Sequence, residues 1–239
     1  MKAGICFALA IVIAGPVYAM EPIQFKPAIL NAALLFSHDP SVGPVKQSLQ
    51  WIRNSEGELV ATTDVRYDRE GCFNRVNMVD KLNGVEFHLE NKNGILSSRN
   101  GQHISGKVNQ ACQITELHND SGSYTLSYNS RGLLESMTNT KTGEVSQRFE
   151  YRFGQFPVRI REYDKQTDKV IAYPAGNPQF LDFESAIGTD KVNIWLKQSC
   201  AYRKDGNAGL CSLVTAYDEN YREGATVMFS NHQTLYYQD

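Results

Sequence analysis

Cys72, Cys112, Cys200 and Cys211 are the side chains in this chain with the widest chemistry. A free thiolate is a nucleophile and a soft metal ligand, whereas paired thiols close a disulfide. The compartment decides between these, and the first twenty residues address it. Lys2, the apolar run from Ile5 to Ile13 and the closing Val17-Tyr18-Ala19 have the layout of a secretory signal peptide, with cleavage between Ala19 and Met20. Residues 20–239 are then expected to work in an oxidising space, periplasmic or secreted. The fifth cysteine, Cys6, lies inside the leader and reads as one of its small apolar residues.

An even number of mature cysteines in that space favours two disulfides, and four cysteines allow three pairings. Cys200 and Cys211 flank Lys204-Asp205-Gly206-Asn207. A hairpin turn centred on Asp-Gly places 200 opposite 211, within bridging reach. Cys72–Cys112 follows by elimination and closes a longer loop, stabilising the fold by roughly 3–4 kcal/mol on the chain-entropy argument. No Cys-x2-Cys or His-x3-5-His pair is present, so no metal site and no cofactor are expected.

The other reactive residue types give weaker patterns. His88, His103 and His118 recur every fifteen residues. No carboxylate-rich ligand set accompanies them, and scattered surface histidines account for the spacing. Asp182-Phe183-Glu184 would place two carboxylates on one face of an extended segment, as a glycosidase pair requires. The chain holds 26 acids, so a solvated face accounts for such a pair. A Ser/His/Asp group assembles in space and leaves no fixed spacing, but the Gly-x-Ser-x-Gly elbow is missing. Gly-x-Gly-x-x-Gly and Walker loops are missing too. No catalytic residue is therefore assigned, and the expectation is a non-enzymatic protein. Tyrosine is abundant, twelve in all. It suits both half-buried β-faces and grooves that bind glycans or partner proteins.

The elements that must hold these residues are mostly strands. Pro27–Phe36 is the best helix, with Pro at its first position and an almost wholly apolar body. It is expected to dock on a sheet, an interfacial membrane helix being the alternative. From Val45 onward, runs rich in Val, Ile, Thr and Tyr alternate with turn residues every 8–15 positions, which predicts hairpins rather than βαβ units. A weak repeat marks the turns: Tyr67-Asp68-x-x-Gly71, Tyr128-Asn129-x-x-Gly132 and Tyr202-Arg203-x-x-Gly206, with Tyr217-Asp218-Glu219-Asn220 as a variant. Leu235-Tyr236-Tyr237 reads as the closing strand or a fragment of it. Pro174–Asp190 shows no strand pattern and is expected to be a long surface excursion. The expected fold is all-β: one domain, residues 20–239, an antiparallel meander of hairpins forming a twisted or partly curled sheet with one short N-terminal helix. A formal net charge of −2 does not call for nucleic acid. Beyond the leader, no apolar stretch reaches the ~20 residues of a spanning helix.

His38-Asp39-Pro40-Ser41-Val42-Gly43-Pro44-Val45-Lys46, Glu70-Gly71-Cys72-Phe73, Cys112-Gln113-Ile114 and Val192–Cys211 with its Lys197-Gln198-Ser199-Cys200 resemble the YnfC family of bacterial envelope proteins. The resemblance covers most of the mature chain and all four of its cysteines. It implies a membrane-anchored lipoprotein, in a family whose biochemical function is not established. In Ile13-Ala14-Gly15-Pro16, proline stands where the lipidated cysteine belongs, so a diacylglycerol anchor is not expected here. The expected role is binding an envelope protein or a cell-wall glycan. A periplasmic inhibitor or immunity protein, with its anchor loop at 174–190, and a hydrolase using His and Asp/Glu are the alternatives.

Overall fold

The structure, a computed structural model, describes residues 24–152, 154–175, 179–188 and 192–238. The leader, with Cys6, Pro16 and the Ala19–Met20 junction, lies outside the described residues. One helix, α1 (Pro27–Leu35), precedes sixteen strands. The first eight are β1 (Val45–Asn54), β2 (Leu59–Tyr67), β3 (Phe73–Asp80), β4 (Val85–Lys92), β5 (Ile95–Gly101), β6 (Ser105–Val108), β7 (Ile114–Asn119) and β8 (Gly122–Tyr128). The second eight are β9 (Leu134–Asn139), β10 (Val145–Arg152), β11 (Phe156–Glu162), β12 (Thr167–Ala172), β13 (Phe183–Gly188), β14 (Asn193–Tyr202), β15 (Ala208–Ala216) and β16 (Thr226–Tyr236).

The expected open or partly curled sheet is corrected to a closed barrel. Each strand pairs antiparallel with its sequence neighbours, and β1 closes the ring on β16 with Ser48 opposite Thr234 and Trp51 opposite Asn231. Closure leaves no edge strand exposed. It rests on one pairing between the two ends of the chain, which local periodicity does not reveal. A second correction concerns Pro174–Asp190, which contains β13, paired with β12 and β14. Its Phe-Glu-Ser-Ala-Ile-Gly sequence is too short and too mixed in polarity to stand out. The tail expectation becomes one strand, since β16 joins the 225–230 run to Leu235-Tyr236.

The wall alternates apolar-in and polar-out. On β8, Tyr124 and Leu126 are buried while Thr125 and Ser127 are exposed. Outward charges pair across strands: Arg75 with Glu90 at 2.8 Å, Lys107 with Glu116 at 2.9 Å and Lys197 with Glu184 at 2.6 Å. A lipid-spanning barrel has the reverse pattern, an outward apolar band ~25 Å tall in which a mid-depth Arg or Lys costs roughly 2–4 kcal/mol. Apolar side chains also lie on the outside, among them Ile95, Val170, Leu210 and Phe229, so the outer face is mixed rather than a continuous apolar band.

Helix α1 plugs one end of the barrel. Its sequence is apolar on all sides because it is surrounded on all sides. Ile29, Ala32 and the following Phe36 join one core with Val65, Tyr67, Phe73, Leu89 and Ile114. Leu30 packs with Phe25, Val42 and Leu133. The one buried polar residue of the helix, Asn31, donates to the Gly132 carbonyl at 2.8 Å and accepts from the Leu134 amide at 2.9 Å. The helix thus lies within the sheet's concavity rather than upon an open face.

The turn repeat has a common geometry. In six hairpins of the described residues the amide of the fourth turn residue donates to the carbonyl of the first at 3.2 Å or less: Gly57 to Asn54, Gly71 to Asp68, Cys112 to Asn109, Gly132 to Asn129, Gly206 to Arg203 and Tyr221 to Asp218; Gln166 to Tyr163 is a seventh, at 3.4 Å. That fourth residue has positive φ in all six, which explains the preference for glycine. Cys112 and Tyr221 take the same conformation without being glycine, at φ 63° and 55°. The tyrosines have a second task at this end. Tyr128 donates to the Ile114 carbonyl at 2.8 Å, Tyr151 to Leu134 at 2.7 Å and Tyr173 to Pro157 at 3.0 Å. Each reaches from an even-numbered strand to the start of the strand before it, and Asn91 does the same to Phe73.

Candidate functional site

The core fills the β2–β10 side of the barrel. On the β10–β16 side the wall encloses a cavity of about 620 Å³. It reaches from α1 and His38-Asp39-Pro40 at the plugged end to Asn119, Glu162 and Lys165 near the opposite rim. Leu30, Leu34, Phe149, Ile160, Phe183 and Leu213 contribute apolar surface; Gln50, Gln147, Lys169, Gln198 and Ser230 contribute polar groups.

The polar groups gather around Asp39. The chain after α1 turns back inside the barrel, ended by Ser37 at φ 51°. Ser41 bonds Ser48 and Thr234 at 3.1 and 3.3 Å, tying the segment to the seam. Asn207 adds two bonds to the Val42 backbone, at 2.8 and 3.0 Å. Asp39 is thereby held against the wall. Gln50 donates to its carboxylate at 2.9 Å and accepts from its amide at 3.2 Å. His232 Nε2 lies 3.4 Å from the same carboxylate, and Ser230 Oγ lies 2.8 Å from that nitrogen. Behind them, Arg203 donates to the His232 carbonyl at 3.0 Å.

Burial pushes the Asp39 carboxyl above the usual carboxylate range, opposed by His232, Gln198, Lys169 and Gln50. Burial lowers Lys169, opposed by Asp39 and Glu162; its ammonium lies 5.7 Å from the Phe183 ring centre. Burial also lowers His232, against the pull of Asp39. His38, wholly buried with Nε2 3.3 Å from Tyr67 Oη, is pushed down by burial to about 4.

Ser230, His232 and Asp39 have the composition of a hydrolase triad without its geometry. In a triad the base receives its carboxylate on one ring nitrogen and its serine on the other. Here both contacts fall on Nε2. Asp39, His232 and Cys211 also form a group with ligand atoms within 4.8 Å of one another. With Cys211 in a disulfide, two ligands remain, fewer than a zinc site uses.

The residues singled out from sequence fall elsewhere. Cys200 and Cys211 are directly opposed on β14 and β15 and bonded, with Cα atoms 4.0 Å apart. Cys72 and Cys112 are bonded and pin the β2–β3 turn to the β6–β7 turn, 5.1 Å apart at Cα. His88 faces outward, 3.0 Å from Asn77 and 3.5 Å from Glu86. His118 bonds Ser123 at 2.8 Å and shares a surface hollow with His103 and Asp120. The three histidines do not converge. The carboxylates of Asp182 and Glu184 part company: Asp182 accepts from the Cys200 amide at 2.7 Å, and Glu184 pairs outward with Lys197. Asp39 and Gln198 stand in the sequence only within the stretches that carry the family resemblance, and Gln50, Lys169 and His232 carry no motif that marks them as site residues. Their signal is polarity where the alternation calls for apolar residues: Ser48 and Gln50 on β1, and Ser230, His232 and Thr234 on β16.

Fold and site together define an antiparallel up-and-down β-barrel with ion pairs on its exterior, a helical plug and a partly polar internal cavity. A porin-like protein from Bacteroides uniformis ATCC 8492 has a similar fold, with a TM-score of 0.54 and 14% identity over 82% of this chain and 99% of that one. That likeness concerns the fold alone. The chain belongs to the uncharacterised protein family UPF0257, whose model matches residues 1–237. Relatives include the UPF0257 lipoprotein YnfC of Escherichia coli O81 (strain ED1a), 23% identical over 234 residues, and that of Escherichia coli O7:K1 (strain IAI39 / ExPEC), 24% identical over 239 residues. In both, the match covers 96% of this chain and 96% of the relative.

Proposed function

We propose that this is a non-enzymatic protein of the bacterial envelope that binds a small, largely apolar molecule in the barrel lumen. The cavity carries the reading. Its ~620 Å³ lies within the range of small-molecule sites, as does its mainly apolar lining with a few converging polar groups. The leader and the lipoprotein relatives support the envelope location. Pro16 in place of a lipobox cysteine argues for a form released after Ala19 rather than one lipidated there. A non-catalytic role is favoured by His232, where Asp39 and Ser230 meet the same ring nitrogen instead of taking one each as a triad requires. The inhibitor alternative has a shorter anchor loop to draw on, because Phe183–Gly188 of the 174–190 stretch belong to the wall as β13.

Titration with N-phenyl-1-naphthylamine, a neutral apolar dye, tests the proposal. Saturable one-to-one fluorescence enhancement is expected, and Leu213→Trp, which fills space between Leu213 and its cross-strand partner Met228, should weaken it at least tenfold. Absence of saturable binding, or equal binding by a folded Leu213→Trp protein, would reject the lumen as the site.

A further inference from the structure

We infer that the dithiol form of this protein holds a divalent transition-metal ion of the zinc class between Cys200, Cys211, His232 and Asp39. The inference is independent of lumen binding by an apolar molecule. Four segments meet at this point: β14, β15, β16 and the strap after α1. Among the described residues, Asp39, Cys211 and His232 form the one group of potential ligands whose donor atoms all lie within 4.8 Å of one another. Cys200 Sγ lies outside that group but is bonded to Cys211 Sγ, so breaking the bond frees a second thiolate beside it. Zinc takes thiolate at ~2.3 Å and nitrogen or carboxylate oxygen at ~2.0–2.2 Å, which sets tetrahedral donors roughly 3.3–3.8 Å apart. His232 Nε2 and the Asp39 carboxylate, 3.4 Å apart, already have that spacing.

The surroundings are those of a ligand set already oriented. Gln50 holds the Asp39 carboxylate at 2.9 Å and Gln198 Nε2 lies 3.9 Å from Cys200 Sγ; Ser230 Oγ, 2.8 Å from His232 Nε2, has to release that nitrogen when it coordinates. Such outer contacts fix the rotamers of metal ligands. Two thiolates and a carboxylate carry three negative charges, which the ion and the neighbouring Lys169 oppose.

The step that opens the site is thiol–disulfide exchange with a dithiol reductant. A reductant thiolate attacks Cys200 Sγ, Cys200 being half-buried while Cys211 is 1% exposed. The S–S bond breaks, releasing the Cys211 thiolate and leaving a mixed disulfide on Cys200. The reductant's second thiolate attacks its own bound sulfur, freeing the Cys200 thiolate and oxidising the reductant to its disulfide. Two electrons have moved. The ion then binds both sulfurs, and any protons they hold pass to solvent. Reoxidation of the pair would expel the ion.

Cobalt(II) titration of the full mature protein tests this, after dithiothreitol treatment and anaerobic gel filtration. One equivalent should produce thiolate-to-metal charge-transfer absorption and the intense visible bands of a tetrahedral ion. The oxidised protein should produce neither. Cys200→Ser/Cys211→Ser, with the other pair present, should abolish the absorption, and His232→Ala and Asp39→Asn should each weaken binding at least tenfold. Zn²⁺ should displace the cobalt and raise the Tm of the reduced protein. The inference is overturned if the absorption is missing, or if His232→Ala and Asp39→Asn bind as tightly as the parent. It is also overturned if the absorption survives in the Cys200/Cys211 variant. Should reduction unfold the protein, recovery of the native circular dichroism on adding Zn²⁺ supports the site, and failure to recover overturns it.

Discussion

His38 and Asp39 are adjacent in sequence and differ in chemistry because they meet different surroundings. His38 is enclosed by core, and burial lowers it from 6.5 to about 4. The unfolded chain therefore binds a proton near pH 6.5 that the folded protein refuses until about pH 4. Stability is fully present above pH 6.5 and is lost as pH falls through that window, by about 3 kcal/mol at ~1.36 kcal/mol per pKa unit. Urea midpoints between pH 7 and 4 should fall by a corresponding amount, and His38→Leu should flatten the slope whatever its effect at pH 7. An unchanged slope would mean that His38 titrates normally. Asp39 faces the cavity, where its side chain keeps 18% exposure and collects hydrogen bonds. Neither environment could be read from the dipeptide, which in sequence is a helix stop before proline.

At the scale of elements, the Tyr-Asx-x-x-Gly repeat has its meaning in paired strands. Asn129 Oδ1 accepts from the Arg131 and Leu133 amides at 2.9 and 3.2 Å, shaping the turn, while Tyr128 bonds the hairpin before it. Asn129→Ala removes two acceptor contacts and should cost about 1–2 kcal/mol; Tyr128→Phe removes one bond and should cost about 1 kcal/mol. Chemical denaturation of both variants checks this, and a Tyr128→Phe protein as stable as the parent would show that the hydroxyl is incidental. Most strands and the helix were legible because alternation, β-branched residues and turn chemistry are local. β13 was not: its inward Ser185 and outward Ala186 blur the alternation, and its neighbours β12 and β14 alone define it. The Cys200–Cys211 pairing was legible although the expected two-residue turn does not form: the loop closes Arg203 on Asn207, and a bulge between Ala201 and Tyr202 restores Cys200 opposite Cys211.

At the scale of the whole molecule, closure converts a meander into a vessel. The wall's outward charges, such as Arg75, Glu90, Lys197 and Glu184, belong in water. The unlipidated mature protein should therefore partition into the aqueous phase of Triton X-114, and enrichment in the detergent phase would contradict this orientation of the wall. By itself the sequence determined the all-β class, the short helix, the hairpin rhythm, both disulfides and the family resemblance, because these depend on neighbours within a few residues or on a matching pattern. Only the tertiary structure decided that the sheet closes, that the helix plugs it and that a cavity remains. It also placed Asp39, Gln50, Gln198, Cys211 and His232 around one point. The reason is physical: β1–β16 pairing joins residues some two hundred positions apart, Val45 with Tyr236. The direction each side chain faces becomes inside or outside only after that ring is complete.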